Sequence, residues 1–354
     1  MGSCMALSHL RSKKQIFMAE DIMQLLVQPL GESIEFEPGA NLLDTLRRAA
    51  VPISYSCSAG RCGTCRCKVI AGSVETTSAS PDAEPADVSV LACQVTLTGD
   101  CTIEIPEPDE IVVHPARIVK GTVVSIDAPV SDVRIVRMSL NRPLSFSPGQ
   151  YATVQFAPGR ERPYSMAGVD TDTQIEFHIR IVPGGAVSEH VARALKCGDT
   201  ARISGPLGTS YLRRQHDGPV ICVAGGTGLA PVLSIVRAIL EGGDRRPVHI
   251  YFGVRSEADV YGAGTLAELT QRFSNLKVHT VIATGPAHDG HRAGLVTDTI
   301  DSDWTALDSF RAYVCGSPPM VDAVRQTLIA KGLSAEHIYA DAFFAQTQPV
   351  PLPA

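Results

Sequence analysis

The sequence lacks any apolar run of roughly 18 residues, the length needed to cross a bilayer as a helix. Its first 22 residues carry Arg11, Lys13 and Lys14, but no apolar segment follows them, so they do not read as a secretory signal. No basic stripe interleaved with aromatics is present, which sets nucleic-acid binding aside. No internal repeat is visible. Nor is there an evenly spaced disulfide framework: of ten cysteines, five crowd between Cys57 and Cys93 and the others are scattered. In a chain without a secretory signal such crowding reads as a metal site. A cytoplasmic location is the expectation.

What is present divides the 354 residues into parts. Residues 1–22 read as a flexible extension and 346–354, rich in proline, as a flexible tail. Residues 23–106 form a first domain, with short strands at 24–28 and 33–37, a helix over 42–50 capped by Asn41, and strands at 66–70 and 101–105. Residues 75–87 read as a surface loop. A linker of prolines and acids follows at 107–111. Residues 112–215 favour β structure at 117–126, 133–140, 151–156 and 174–181, with one helix at 188–195, the pattern of a small antiparallel barrel. From residue 216 to 345 the period changes. Apolar strands at 219–224, 249–254, 276–283 and 312–315 alternate with helices at 231–240 and 320–331, which implies a parallel α/β sheet. Residues 23–110 carry a net charge of −8, residues 111–216 of +5, and those from 217 onward −4. The acidic first segment could dock on the basic second one or meet a basic partner; chance scatter over solvated surfaces gives the same pattern.

Three motifs carry chemistry. Cys57, Cys62 and Cys65 stand at C-x4-C-x2-C spacing with Cys93 further on, the plant-type [2Fe–2S] pattern. Two irons need four thiolates, which a tight loop and a distant strand end can supply. Gly60 and Gly63 let the loop bend and aim N–H groups at sulfur. Zinc sites tend to pair C-x2-C units, and only one occurs here. Cys67 and Cys101 read as buried structural thiols.

The second motif is Arg162-Pro163-Tyr164-Ser165, followed by His178-Ile179-Arg180 and then Gly184-Gly185-Ala186-Val187-Ser188. A flavin needs an aromatic face, a donor near its N5 atom, and cations or amides for its pyrophosphate. Tyr164, Ser165, and Arg162 with the amides beside Ser188 can supply these. Taken singly, each residue is as readily a surface cation, a core aromatic or a hairpin turn; their co-occurrence argues for the cofactor.

The third is Gly225-Gly226-Thr227-Gly228-Leu229-Ala230-Pro231 between a strand and a helix. It is not a G-x-G-x-x-G fingerprint, yet bare backbone at a helix N-terminus suits a pyrophosphate. The strand ends at Arg255 and at Cys315-Gly316 would line the same edge of the sheet, with Cys315 close to the nicotinamide.

In this order the motifs resemble the reductase components of bacterial ring-hydroxylating dioxygenases, within the ferredoxin–NADP reductase superfamily. Stretches such as SYSCSAGRCGTCRCKVI, GGTGLAPVLSIVRA and HIYADAF are most similar to its naphthalene, nitrotoluene and salicylate branch. The resemblance spans residues 23–344. It implies a multidomain chain: an N-terminal β-grasp ferredoxin, an antiparallel β-barrel flavin domain and an α/β parallel-sheet nucleotide-binding domain. It implies that Phe343 or Phe344 lies near the flavin. It implies hydride transfer from a nicotinamide to FAD near Ser165, then single electrons through the cluster to a Rieske-type ferredoxin or the terminal oxygenase. A superfamily Ser-Arg pair that grips a 2′-phosphate is replaced here by Ala283-Thr284, so NADH is expected; Arg255 keeps NADPH as the alternative. Two other functions fit parts of the pattern: a reductase serving a di-iron monooxygenase, and a flavin/iron–sulfur redox sensor. The second has no need of the Gly225–Pro231 and Cys315–Met320 segments.

Overall fold

The computed structural model describes residues 22–51, 53, 65–76, 88–105, 114–288 and 290–343, and they fall into two compact units.

In the first unit, β1 (Met23–Gln28) and β2 (Glu32–Phe36) form a hairpin, and α1 (Leu42–Arg48) follows. Then come β3 (Arg66–Thr76), β4 (Val88–Leu91) and β5 (Val95–Glu104). The strand order is β2-β1-β5-β3-β4, with β1 and β5 parallel at the centre and the other pairs antiparallel, as in a β-grasp. Alternation along β1 buries Leu25 and Val27, and helical spacing in α1 buries Leu42, Leu43 and Leu46. Asn41 caps α1, its Oδ1 accepting from Asp44 N at 3.2 Å. Two strands are longer than the sequence suggests. β3 runs on to Thr76, and β5 begins at Val95 because Gly72, bulged at φ +105°, makes room for the Asp100-Cys101 backbone opposite it. Residues 77–87 of the expected loop lie outside the described residues.

The second unit opens with a six-stranded antiparallel sheet: β6 (Arg117–Val130), β7 (Val133–Leu140), β8 (Tyr151–Ala157), β9 (Arg160–Ser165), β10 (Ile175–Arg180) and β11 (Thr200–Leu207). The order is β10-β7-β6-β11-β8-β9, and a Met166–Phe177 bridge joins its two edges into a barrel. Alternate residues such as Ala152, Val154 and Phe156 fill the interior, and α2 (Ala186–Arg193) adds Val187 and Val191 to it. β9, with Arg160, Glu161, Arg162 and Pro163, carries almost no strand propensity. It is tolerated because it ladders with β8 alone, so Pro163 sacrifices no central hydrogen bond.

The chain continues through β12 (Val220–Gly225), α3 (Leu229–Glu241), β13 (Val248–Val254), α4 (Ala263–Arg272) and β14 (Leu276–Ile282). It ends with β15 (Arg292–Ala293), α5 (Val296–Asp303), β16 (Arg311–Gly316), α6 (Pro318–Ala330) and β17 (Ile338–Ala342). All pairings are parallel in the order β15-β14-β13-β12-β16-β17. The direction of winding reverses between β12 and β16, and the carboxyl ends of these two strands bound a crevice. The sequence signal missed α4 and α5, whose buried residues are few (Leu266 and Leu269; Val296, Thr299 and Ile300).

α3 is buried on nearly every side, as its continuous apolar sequence demands. One face covers the parallel sheet. The other meets the barrel: Ser234 Oγ donates to Gly168 O, Arg237 grips both oxygens of Asp172 at 2.8 and 3.0 Å, and Ile235 packs beneath Gly149. Nearby, Arg213 lies over the rings of Tyr211 and Tyr339, and its amide donates to Tyr313 Oη. Among the described residues no helix is long and apolar enough to cross a membrane.

On the far face of this sheet, His249 is buried among His279, Trp304 and Phe310, and its Nδ1 has no hydrogen-bond partner among the described residues. Burial, with Lys277 and His279 nearby, holds its pKa down at about 4 against the opposing charge of Asp303. The unfolded chain therefore takes up a proton between about pH 6.5 and 4 that the folded chain does not, and stability falls across that window by up to about 3 kcal/mol. His249→Phe, apolar and of similar size, is expected to flatten this acid limb in melting temperatures recorded from pH 7 to 4. An unchanged slope would assign the limb to other groups.

Candidate functional site

The cysteine loop comes first in the chain. Cys57 and Cys62 lie outside the described residues. Cys65 is buried immediately before β3, and Cys93 sits in the short 3-10 turn Ala92–Gln94. Neither is in a disulfide. Asn41 does more than cap α1: its Nδ2 donates to Cys93 O at 3.1 Å and Val95 O at 3.3 Å, tying the helix start to the cysteine turn. Gln94 Nε2 lies 3.7 Å from Cys93 Sγ, an N–H donor aimed at sulfur of the kind that favours a thiolate ligand. The sequence identified Asn41 as a cap but not in this second role. Cys67 and Cys101 are buried, and burial pushes the Cys101 thiol up to about 11, which keeps it protonated. The thiols of Cys65 and Cys93 are of the type an iron–sulfur cluster takes as ligands.

In the second unit the flavin-type residues sit on β9, β10 and α2. Arg162 is half-exposed, its guanidinium donating to Glu161 O at 2.7 Å. The Tyr164 ring leans against Phe156 and Phe177, and burial raises its phenol pKa against the pull of Arg162. Ile179 and Val187 turn their side chains into the barrel core, so only their backbones can reach a ligand. His178, on the opposite face of β10 and outside the barrel core, is buried against Tyr261 and bonded to Glu176 Oε1 and to Tyr261 Oη, both at 3.0 Å. α2 starts at Ala186 rather than 188, with Gly185 as its N-cap. Ser188 Oγ accepts from Val182 N and donates to the carbonyls of Val182 and Gly185, which shapes that turn. The first amides of α2 are thereby left at a helix N-terminus suited to phosphate.

The nucleotide-type residues form a tighter assembly. Gly226–Gly228 is a 3-10 turn leading into α3, where Leu229 is fully buried. A Cβ on Gly228 would lie 2.1 Å from Cys315 O, and one on Gly225 would lie 2.5 Å from Met320 Sδ. Gly316 is 3.2 Å from Gly225 backbone by the same construction. Only glycine lets the β12 turn lie against the β16 end, which leaves a bare-backbone cradle of the kind a pyrophosphate enters. Arg180 brings its guanidinium from the barrel to this turn, 2.9 Å from where a Gly226 Cβ would stand, while pairing with Asp132 at 2.8 Å. Arg255 is exposed at the end of β13, and its carbonyl accepts from Thr284 N and Oγ1 at 2.8 Å each. Phe343 N donates to Gly316 O at 2.8 Å, which brings the end of β17 to the same crevice; Phe344 lies outside the described residues.

One residue that sequence reasoning passed over joins the two halves. Asp341, on β17, is the register partner of Cys315 on β16 and accepts a long hydrogen bond, 3.5 Å, from Ser165 Oγ of the barrel. Burial raises its carboxyl to about 6, against the Ser165 hydroxyl, which lowers it. Burial, then the Asp341 charge, keeps Cys315 a neutral thiol. Ser165 and Cys315, separated by 150 positions in the chain, thus share one carboxyl neighbour. Nothing in the local pattern of Tyr339-Ala340-Asp341 signals this. A cavity of about 330 Å³ on the barrel flank, lined by Arg142, Phe146 and Thr173 among others, contains none of these residues.

Comparison with known proteins agrees with this layout. Residues 25–98 match the 2Fe-2S iron-sulfur cluster binding domain, residues 119–211 the oxidoreductase FAD-binding domain and residues 222–326 the oxidoreductase NAD-binding domain. The chain is 58% identical, over 91% of its length and 99% of the relative's, to the reductase component of the naphthalene 1,2-dioxygenase/salicylate 5-hydroxylase systems of Ralstonia sp. It is 56% identical, with the same coverage, to the naphthalene 1,2-dioxygenase system reductase component of Pseudomonas putida. The chain belongs to this family of reductases. Among solved structures, the Amycolatopsis cytochrome P450 reductase is 32% identical and superposes with a TM-score of 0.69 over 91% of this chain and 98% of that one. The reductase is therefore an oxidoreductase with domains for a [2Fe–2S] cluster, FAD and NAD, and its fold is that of ferredoxin–NADP reductases joined to a ferredoxin domain.

The packing at Gly228 yields a direct test. Gly228→Ala must move either the β12 turn or the Cys315 carbonyl, so NADH-dependent reduction of ferricyanide is expected to fall at least ~100-fold. Retention of near-normal activity would mean the turn is not the dinucleotide cradle.

Proposed function

We propose that this reductase takes hydride from NADH and hands single electrons to a Rieske-type ferredoxin or directly to the terminal oxygenase of an aromatic-ring-hydroxylating system, and that it works in the cytoplasm. Support for the partner class comes from relatives at 58% and 56% identity that serve naphthalene dioxygenase systems; the phenol 2-monooxygenase reductase of Pseudomonas stands at 31%. The domain limits we propose are 23–106, 112–215 and 216–345, joined by the linker at 107–111. The observation that carries the reading is the meeting of Ser165 and Cys315 at Asp341, one residue from the barrel and one from the sheet sharing a buried carboxyl.

Bound flavin and cluster would supply the conversion of a two-electron hydride into single electrons. The chain's own residues do the rest. Gly226, Thr227 and Gly228 receive the NADH pyrophosphate on bare amides, while the Leu229 amide closes the turn onto Gly226 O, with Arg180 and Arg255 as nearby cations. Gly316 and Cys315 give the nicotinamide a small, uncharged floor. Arg162 and the amides from Ala186 to Ser188 hold the flavin pyrophosphate, with Gly185 shaping the turn through its bond to Val182 O; Tyr164 and Phe343 or Phe344 face the ring, and the β10 backbone at His178–Arg180 runs alongside. Ser165 Oγ orients the reacting edge and, donating to Asp341 Oδ2, can relay to that carboxylate the proton released at the ring edge when electrons leave it, taking that proton up as it gives up its own. Cys57, Cys62, Cys65 and Cys93 hold the cluster, with Asn41 fixing the Cys93 turn. No arginine follows Ala283-Thr284, and the Thr284 hydroxyl is occupied by the Arg255 carbonyl, which favours NADH over NADPH.

Two measurements test this. The visible spectrum of the purified protein is expected to combine flavin bands with a broad thiolate–iron envelope, both bleaching on anaerobic NADH and more readily than on NADPH. A colourless, zinc-loaded protein would sink the reading. Asp341 accepts a proton only when ionised, so the turnover rate is expected to rise with pH around a midpoint near 6 and to lose that step in Asp341→Asn. A step that persists in the variant would place the base elsewhere.

A further inference from the structure

The glycine turn is not held by its own backbone alone. Behind it, Tyr261 is almost completely buried in the loop before α4, and its Oη donates to Gly226 O at 3.3 Å. That carbonyl also accepts from Leu229 N, so its second lone pair goes to the tyrosine. His178 Nδ1 stands 3.0 Å from the same Tyr261 oxygen. His178 is in turn anchored through Nε2 to Glu176, which Arg137 also grips. Burial works to raise the Glu176 pKa, but the bonds and charges of His178 and Arg137 outweigh it and keep the carboxylate ionised. The ring of Tyr261 is fixed edge-on between His178, at 5.4 Å and 69°, and Phe252, at 5.8 Å and 84°. A hydrogen-bonded line thus runs from the outside of the barrel, Arg137–Glu176–His178, through Tyr261 to the carbonyl of the turn.

The consequence follows from peptide geometry. In a trans peptide the C=O of Gly226 and the N–H of Thr227 point in opposite directions. Drawing the carbonyl inward onto Tyr261 turns the Thr227 N–H outward, to the side on which the bare turn is open. Gly226 sits at φ +54°, where its peptide planes have no Cβ to steer them and could otherwise rotate. We propose that Tyr261 is a positioning residue for the dinucleotide: it locks the Gly226–Thr227 peptide so that its amide is preset to bind the pyrophosphate, and His178 acts through it. This rests on the reading of Gly226–Leu229 as the dinucleotide cradle.

Tyr261→Phe in the full-length holoprotein removes the hydroxyl and leaves the ring packing. Loss of one buried donor is expected to raise KM for NADH, and the calorimetric dissociation constant for NAD+, about ten-fold. The maximal rate with ferricyanide and the FAD and iron contents should stay near those of the parent. Two companions make the result decisive. Tyr251→Phe deletes another buried hydroxyl, one bonded to Asp303 at 2.9 Å and remote from the turn, and should leave NAD+ affinity unchanged. Thr227→Asp puts a carboxylate in the cradle itself and should weaken NAD+ at least as much as Tyr261→Phe. If Thr227→Asp weakens NAD+ and Tyr261→Phe does not, the role of Tyr261 is wrong while the cradle stands. If neither weakens it, the cradle reading fails and the inference falls with it. Loss of FAD with unchanged NAD+ affinity in Tyr261→Phe would reduce the tyrosine to a structural part of the barrel seam.

Discussion

The constraint on which the second unit turns is the close approach of two backbones, the Gly225–Gly228 turn at the end of β12 and the Cys315–Gly316 end of β16. Parallel strands in a sheet keep a fixed spacing, and their connecting loops usually diverge beyond it. Here they stay together because Gly225, Gly228 and Gly316 present no side chains to one another, and Met320 fills the remaining gap with a flexible thioether. The contact stands where the winding of the sheet reverses, so the crevice that this reversal opens is floored by main chain rather than by side chains. Asp341 is then brought beside Cys315 by simple strand register, and Ser165 reaches it because β9 ends at that level of the barrel.

The sequence made much of this legible, for identifiable reasons. The strands at β7, β8, β12, β13 and β16 carry period-2 or continuous apolar patterns, and they stand within a residue or two of where pattern reading puts them. The glycine turn was readable because strand, glycine and helix succeed one another in the chain. β9 was not, since an edge strand can tolerate charge and proline that a central one cannot. The short helices α4 and α5 were hidden by polar faces with only two or three buried residues each.

The same division runs through the candidate site. Candidate residues that belong to a local motif, such as Arg162, Ser165 and Gly226, can be picked out by type and spacing. Residues that act because distant strands lie side by side could not. Asp341 gains its meaning from Cys315 across a register and from Ser165 across the barrel seam, and Tyr261 gains its own from His178, 83 positions away. Asn41 is intermediate: its capping role is local and was visible, whereas its hold on Cys93 spans 52 positions and was not.

The burial of α3 bears on how such a chain can be divided and recombined. In sequence, the barrel and the parallel sheet look like separate modules with a border near residue 215. In packing there is no border there, because one helix serves as core for both sides through Ser234, Ile235 and Arg237. A cut at that point would strip an apolar helix of half its cover. The barrel and the parallel sheet are therefore a single unit of inheritance in this architecture, a paired body that must be kept whole through any rearrangement of the chain.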